Sequence, residues 1–151
     1  MGLNIVLLEP EIPNNTGNIG RLSLATGSTL HLIKPYGFEL TDKRVKRAGL
    51  DYWQHIDLKE YDSFEDFLAK AKPLHMAFLS AHGEQSYLDI EYQDEMYLVF
   101  GKESVGLPEM ITQNHKHSLF RIPILSEKIR SLNLANAVAI TVYEGLRKLK
   151  G

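Results

Sequence analysis

The sequence predicts an α/β fold, a mostly parallel sheet with helices on both faces. Three observations lead there. Short apolar runs at residues 3–8, 30–33, 74–79, 96–100 and 119–124 have the length and composition of buried strands. Segments carrying helix-start signals fall between them, so strand and helix alternate along the chain. Near the C-terminus, Leu134, Val138, Val142 and Leu146 recur at the spacing of one helix face.

Each element has its own signal. The first run carries branched Ile5 and Val6 and reads as a strand buried on both faces. Asn15 or Thr16 is expected to cap a helix running to about Thr26, with Gly27 as its stop. A second strand at 30–33 follows. Asp42 is expected to cap a short basic helix ending near Gly49. Ser63-Phe64-Glu65-Asp66 resembles a capping box with Asp in place of Glu, opening a helix to about Ala71. Strands at 74–79 and 96–100 come next, then a short helix begun by Pro108 and running through Ile111. Pro123 cuts short the strand at 119–124. Ala135, Ala139 and Leu149 flank the apolar stripe of the last helix, and Arg147, Lys148 and Lys150 sit where cations favour its dipole. No repeat, linker or second domain is evident, so residues 1–151 are expected to form one domain.

Composition excludes several classes. The chain has no cysteine, which removes disulfides, thiolate zinc sites and cysteine nucleophiles. Met1-Gly2-Leu3-Asn4 lacks the basic segment of a signal peptide, and no apolar run is long enough to span a bilayer, so a cytoplasmic protein is expected. The net charge of −2 argues against a generic nucleic-acid binder. Its distribution is uneven, however. Lys43, Arg44, Lys46 and Arg47 form a basic cluster, while acids gather at 60–66 and 89–95.

Three stretches carry more polar chemistry than their elements require. Asn15-Thr16-Gly17-Asn18-Ile19-Gly20-Arg21 places Asn, Gly and Arg at a helix start, where free amides attract anions. Phe100-Gly101-Lys102-Glu103-Ser104-Val105-Gly106-Leu107-Pro108 follows an apolar strand, the position at which parallel sheets bind ligands. Arg130-Ser131-Leu132-Asn133-Leu134-Ala135-Asn136 opens the last helix with more polar groups than a cap needs. Blander readings stand beside these: a glycine turn, a plain helix cap, and a surface salt bridge for Arg21. Neither glycine stretch is a dinucleotide fingerprint or a P-loop, and His115-Lys116-His117 lacks a third metal ligand nearby.

Together the stretches resemble the three motifs of the SPOUT superfamily of RNA methyltransferases. The resemblance is closest to the small branch that methylates the ribose of the wobble pyrimidine in tRNA. It runs from Asn4-Ile5-Val6-Leu7 and Glu9-Pro10-Glu11-Ile12-Pro13, through Asp42-Lys43-Arg44 and Arg47-Ala48-Gly49-Leu50-Asp51-Tyr52, to Ala137-Val138 and Val142-Tyr143-Glu144. It implies S-adenosylmethionine as cofactor, a tRNA partner, a homodimer, no metal, and a C-terminal segment threaded into a trefoil knot. Cofactor-binding positions carried over are Leu79, Gly101, Glu103, Gly106, Ile122, Ser131 and Leu132. Arg21 matches the catalytic arginine, and Ser131, Asn133 and Tyr143 match further active-site positions. Arg21 and Arg130, with Lys43, Arg44, Lys46 and Arg47, are the expected RNA-binding cations. The chain departs from the pattern at Gly20, Lys102, Val105 and Ile129.

The chemistry implied is methyl transfer to a ribose hydroxyl, which needs positioning and help in removing a proton. Arginine stays protonated, so Arg21 is read as a phosphate clamp and alkoxide stabiliser rather than a base. Leu79, Leu107, Ile122 and Leu132 are expected to form the adenine slot. Two rivals remain open: a non-catalytic tRNA-binding module using the 43–47 face, and a small-molecule enzyme binding a nucleotide at the same loops.

Overall fold

The computed structural model describes residues 2–40 and 43–150. Its elements are β1 (Asn4–Leu8), α1 (Pro13–Ala25), β2 (Thr29–Ile33), α2 (Lys43–Gly49), a 3-10 helix (Leu50–His55), β3 (Leu58–Tyr61), α3 (Phe64–Ala71), β4 (Met76–Leu79), β5 (Gln85–Ser86), β6 (Tyr97–Phe100), α4 (Glu109–Asn114), β7 (Leu119–Arg121) and α5 (Leu134–Lys150). The strands form one seven-stranded sheet in the order β3-β2-β1-β6-β4-β7-β5. Every pairing is parallel, so all carboxyl ends emerge on the same edge.

Alternation along the strands divides the core in two. Ile5, Leu7, Leu30, Leu32, Ala77, Leu98 and Phe100 face one way and meet Ile19 of α1 and Val138 and Val142 of α5. Val6, Leu8, Ile33, Phe78 and Val99 face the other way and meet Phe67 of α3 and Ile111 of α4. The central strands are thus apolar on both faces, which is why they were legible as continuous apolar runs. β3 and β5 were not anticipated. They close the two edges of the sheet, and β3 buries only Tyr61 fully, so neither presents an apolar run.

Several boundaries differ from expectation for physical reasons. α1 begins at Pro13, a residue suited to the first helical turn, and Ile12 precedes it without a side-chain cap. Asn15 and Thr16 are therefore buried inside the helix rather than capping it. β4 starts at Met76, and Leu74 is exposed. β7 ends at Arg121, which leaves Ile122 in the loop. Asp42 lies outside the described residues, as does the side chain of Lys46. The capping box holds in modified form: Ser63 Oγ accepts from the Asp66 amide at 3.0 Å, while the Asp66 carboxylate accepts from the Asp62 amide at 3.0 Å.

Of the apolar stripe on α5, Val138 and Val142 are fully buried by the chain's own core, while Leu134 and Leu146 are half-buried. Gly145 lets the Tyr92 ring pack where a Cβ would lie 2.6 Å from it. The exposed apolar residues of α5 are Ile140 and Tyr143.

His31 sits inside the sheet, 1% exposed. Asn4 Nδ2 donates to the Glu95 carbonyl, so Asn4 Oδ1 is left to accept from His31 Nε2 at 2.8 Å. Nδ1 then accepts from the Tyr61 hydroxyl at 2.8 Å. A neutral ring satisfies both bonds. Burial, reinforced by the Lys59 charge, pushes the imidazole down to about 4. The unfolded chain binds this proton near pH 6.5, so stability falls as pH drops from about 6.5 to about 4, by roughly 3 kcal/mol in all. Denaturant titrations across that window should show the slope, and His31→Phe should flatten it. An unchanged slope in the variant would assign the acid sensitivity elsewhere.

Candidate active site

β6, β4 and β7 are neighbours in the sheet, and Phe100, Leu79 and Phe120 stand side by side near their carboxyl ends. The loops that follow surround a cleft of about 620 Å³, within the usual range for a small-molecule site. Its floor is apolar, formed by Leu79, Phe100, Ile122 and Leu134. Ser131 and Arg130 bring a hydroxyl and a guanidinium to it. Leu79, Gly101, Glu103, Gly106, Leu107, Ile122, Ser131 and Leu132 all line it. Ser80, Ala81 and His82 line it too and were missed. Their signal was weak: they follow an apolar run and precede Gly83, where a Cβ would meet the Phe120 backbone at 2.8 Å.

Two glycines shape the second loop differently. Gly106 has φ +73°, a left-handed conformation that side chains disfavour. Gly101 does not; its need is space. A Cβ there would lie 2.1 Å from the Gly106 carbonyl carbon and 2.2 Å from the Leu107 nitrogen. The loop folds back onto Gly101, and the Gly106 amide donates to the Lys102 carbonyl at 2.9 Å.

This loop is clasped to the entrance of α1. The Glu103 carboxylate accepts from the amides of Glu11 (2.8 Å) and Ile12 (3.0 Å) and from Asn15 Nδ2 (3.2 Å). In return the Ser104 amide donates to Glu11 Oε1 at 2.8 Å, and hydrogen bonds from Ser104 hold the Glu11 carboxyl below its usual range. Lys102 reaches Glu9 at 3.2 Å. Asn15 continues the chain of contacts: its Oδ1 accepts from Asn133 Nδ2 at 3.1 Å. Asn133 Oδ1 accepts from the Asn136 amide at 3.2 Å and so caps α5. The three polar stretches are thereby one bonded unit. The anion near the start of α1 is the chain's own Glu103, so Glu103 lines the cleft while its carboxylate is already committed.

Arg21 and Tyr143 do not line the cleft of a single chain. Both are exposed, on α1 and α5, which pack against each other. Arg21 forms no ion pair among the described residues; its guanidinium lies over the Tyr52 ring, 5.4 Å from the centroid. The expected salt-bridge alternative for Arg21 therefore fails. Lys43, Arg44 and Arg47 are exposed on α2, which packs on α1. Gly20 admits Trp53 and Ile56, whose atoms lie 2.7 Å from the Cβ it lacks. Val105 and Ile129 are exposed. His115 stacks on Phe78 at 4.4 Å, and among the described residues no cluster of His, Asp or Glu could hold a metal.

Residues 2–143 match the SpoU rRNA methylase family. A tRNA (cytidine(34)-2′-O)-methyltransferase of Aeromonas hydrophila is 48% identical over 148 residues, 97% of this chain and 94% of that one. Its counterpart in Yersinia pestis is 46% identical, with 97% and 94% covered. A structure described as giving insight into 2-OH methylation of C/U34 on tRNA superposes with a TM-score of 0.91 at 46% identity, covering 99% of this chain and 97% of that chain. An rRNA methyltransferase from Sinorhizobium meliloti, solved with AdoMet bound, gives 0.87 at 26% identity over 98% of this chain and 57% of that one. The chain belongs to the SpoU methylase family.

If the cleft is the cofactor site, Gly101→Val should abolish binding of S-adenosylhomocysteine in calorimetry, because the loop must open to admit any side chain. Overpacking of this kind also costs about 1–3 kcal/mol of stability. Wild-type affinity in the folded variant would place the cofactor elsewhere.

Proposed function

We propose that this chain transfers a methyl group from S-adenosylmethionine to the ribose 2′-hydroxyl of the wobble pyrimidine, nucleotide 34, of a tRNA. The observation that carries the reading is the bonded unit of Glu103, Asn15 and Asn133 beside an apolar cleft at the carboxyl ends of β4, β6 and β7. The names of the relatives at 46% and 48% identity supply the nucleotide.

The residues present fit the cofactor. Leu79, Leu107, Ile122 and Leu132 offer an apolar slot for a purine, and folded-back backbone at Gly101 and Gly106 offers peptide edges. Bound there, S-adenosylmethionine supplies a methyl already activated on a sulfonium. Transfer would bond the ribose oxygen to that methyl as the carbon–sulfur bond breaks, leaving S-adenosylhomocysteine, with the hydroxyl proton passing to solvent water. Ser131 Oγ orients a polar group at the cleft wall. Asn133 holds the start of α5 in register with α1. Arg21, a fork-shaped cation, grips the phosphate beside the target and stabilises the developing alkoxide. The exposed cations of α2 draw the RNA in.

Arg21 and Tyr143 stand away from the cleft of their own chain, and we infer a two-fold dimer that brings them to the cleft of a partner. Ile12 and Leu24 of the α1 side and Ile140 and Tyr143 of α5 are exposed and suit such a contact. Family membership adds the expectation of a trefoil thread between β7 and α5.

Four measurements follow. Methyl transfer from labelled S-adenosylmethionine into unmodified bulk tRNA should be robust. Arg21→Lys should bind cofactor normally and turn over about 10²–10³ times more slowly; undiminished turnover would remove Arg21 from the reaction. Neutralising Lys43, Arg44, Lys46 and Arg47 should weaken tRNA binding and flatten its salt dependence, with little change in turnover at saturating RNA. Light scattering at micromolar concentration should report a dimer; a monomeric mass would contradict the shared site. No incorporation by wild type into any tRNA would leave the binding-module reading in its place.

A further inference from the structure

We propose that Tyr52 is a positioning residue for Arg21, held in place by the glycine notch at Gly20. This rests on the reading that Arg21 grips substrate during transfer.

Gly20 immediately precedes Arg21 on α1. Trp53 Cζ3 and Ile56 Cδ1 each lie 2.7 Å from where a Gly20 Cβ would be. No other residue would allow that approach, so the notch docks the 3-10 helix Leu50–His55 directly on α1 beside Arg21. Tyr52, the neighbour of Trp53, then presents its ring to the guanidinium at 5.4 Å. Among the described residues the guanidinium forms no ion pair, and the Tyr52 ring is the aromatic face it lies over.

The nature of the contact matters. A carboxylate would fix Arg21 by occupying its N–H fork and neutralising its charge. An aromatic face restrains the guanidinium from one side and leaves the in-plane donors free. The cation is thus oriented before RNA arrives and arrives with its hydrogen bonds unspent. Tyr52 is 44% exposed, so the contact lies at the protein surface. Tyr52 acts through Arg21, and its hydroxyl has no part in this.

The test compares kcat, KM for tRNA, and S-adenosylhomocysteine affinity in wild type, Tyr52→Leu, Tyr52→Phe and Arg21→Lys. Tyr52→Leu should lower kcat by about three- to thirty-fold, the value of a cation–π contact between exposed and desolvated limits. KM for tRNA and cofactor affinity should stay within about twofold of wild type. Tyr52→Phe, which keeps the ring, should restore kcat. Wild-type kcat in Tyr52→Leu, with Arg21→Lys slow, overturns the positioning role and leaves the Arg21 reading standing. Full activity in Arg21→Lys removes that reading and the positioning role with it. A loss carried by KM alone, or one equal in the Phe and Leu variants, assigns Tyr52 to direct RNA contact and overturns the proposal. Should Tyr52→Leu fail to fold, Gly20→Ala decides: it keeps Tyr52, displaces Trp53 and Ile56, and should lower kcat in the same way. A folded Gly20→Ala enzyme with wild-type kcat overturns it.

Discussion

A single carboxylate, that of Glu103, joins the segments from which the site is built. It leaves the loop after β6, accepts the Glu11 and Ile12 amides, and takes a third bond from Asn15, which in turn holds Asn133 at the head of α5. Charge-assisted bonds to backbone amides are among the stronger hydrogen bonds in proteins. Together with the neutral bond between Asn15 and Asn133, the bonds of Glu103 link residues 88 to 118 positions apart in sequence, and so determine the relative placement of loops that the sheet alone would leave loose. The reciprocal bond from Ser104 to Glu11 closes the clasp.

That arrangement explains a separation of tasks within the molecule. The start of α1 is occupied by the chain's own anion, so it is not the phosphate site that its sequence suggested. The cleft is apolar and suits a cofactor. Of the expected RNA-binding cations among the described residues, only Arg130 lines it; Arg21 and the exposed cations of α2 stand elsewhere, on helices that pack together. A chain of net charge −2 therefore presents a basic face without being basic overall. The distance between Tyr143 and the head of α5 follows from helix geometry: ten residues from Asn133 correspond to ~15 Å along the axis. Tyr143 therefore stands well along α5 from Asn133, and the proposed dimer is what would bring it to a cleft.

Much of this was legible in the residues. Strands β1, β2 and β6 are buried on both faces, and burial on both faces writes an apolar run. α5 writes its period as clearly, since Val138 and Val142 must meet the sheet. The cleft-lining positions Leu79, Gly101, Ile122 and Ser131 were named through the family resemblance, not from local pattern. What escaped was written in single, distant contacts. The edge strands β3 and β5 bury too little to show. Asn15 looked like a helix cap, yet its partners are Glu103 and Asn133, and no local pattern reports them. Gly101 read as a turn glycine, and what it supplies is room for Gly106 and Leu107. Gly20 looked like a departure, and its meaning depended on Trp53 and Ile56. Sequence periodicity reports burial; it does not report which loop folds back on which.

The central claim is that the clasped cleft serves transfer to one ribose oxygen. It is tested most directly with two synthetic tRNAs differing only at nucleotide 34, one carrying ribose and the other 2′-deoxyribose, incubated with labelled S-adenosylmethionine. The account predicts incorporation into the first, mapped by mass spectrometry to the 2′-oxygen of nucleotide 34, and none into the second. Equal incorporation into both, or a methyl mapped to a base, would contradict it.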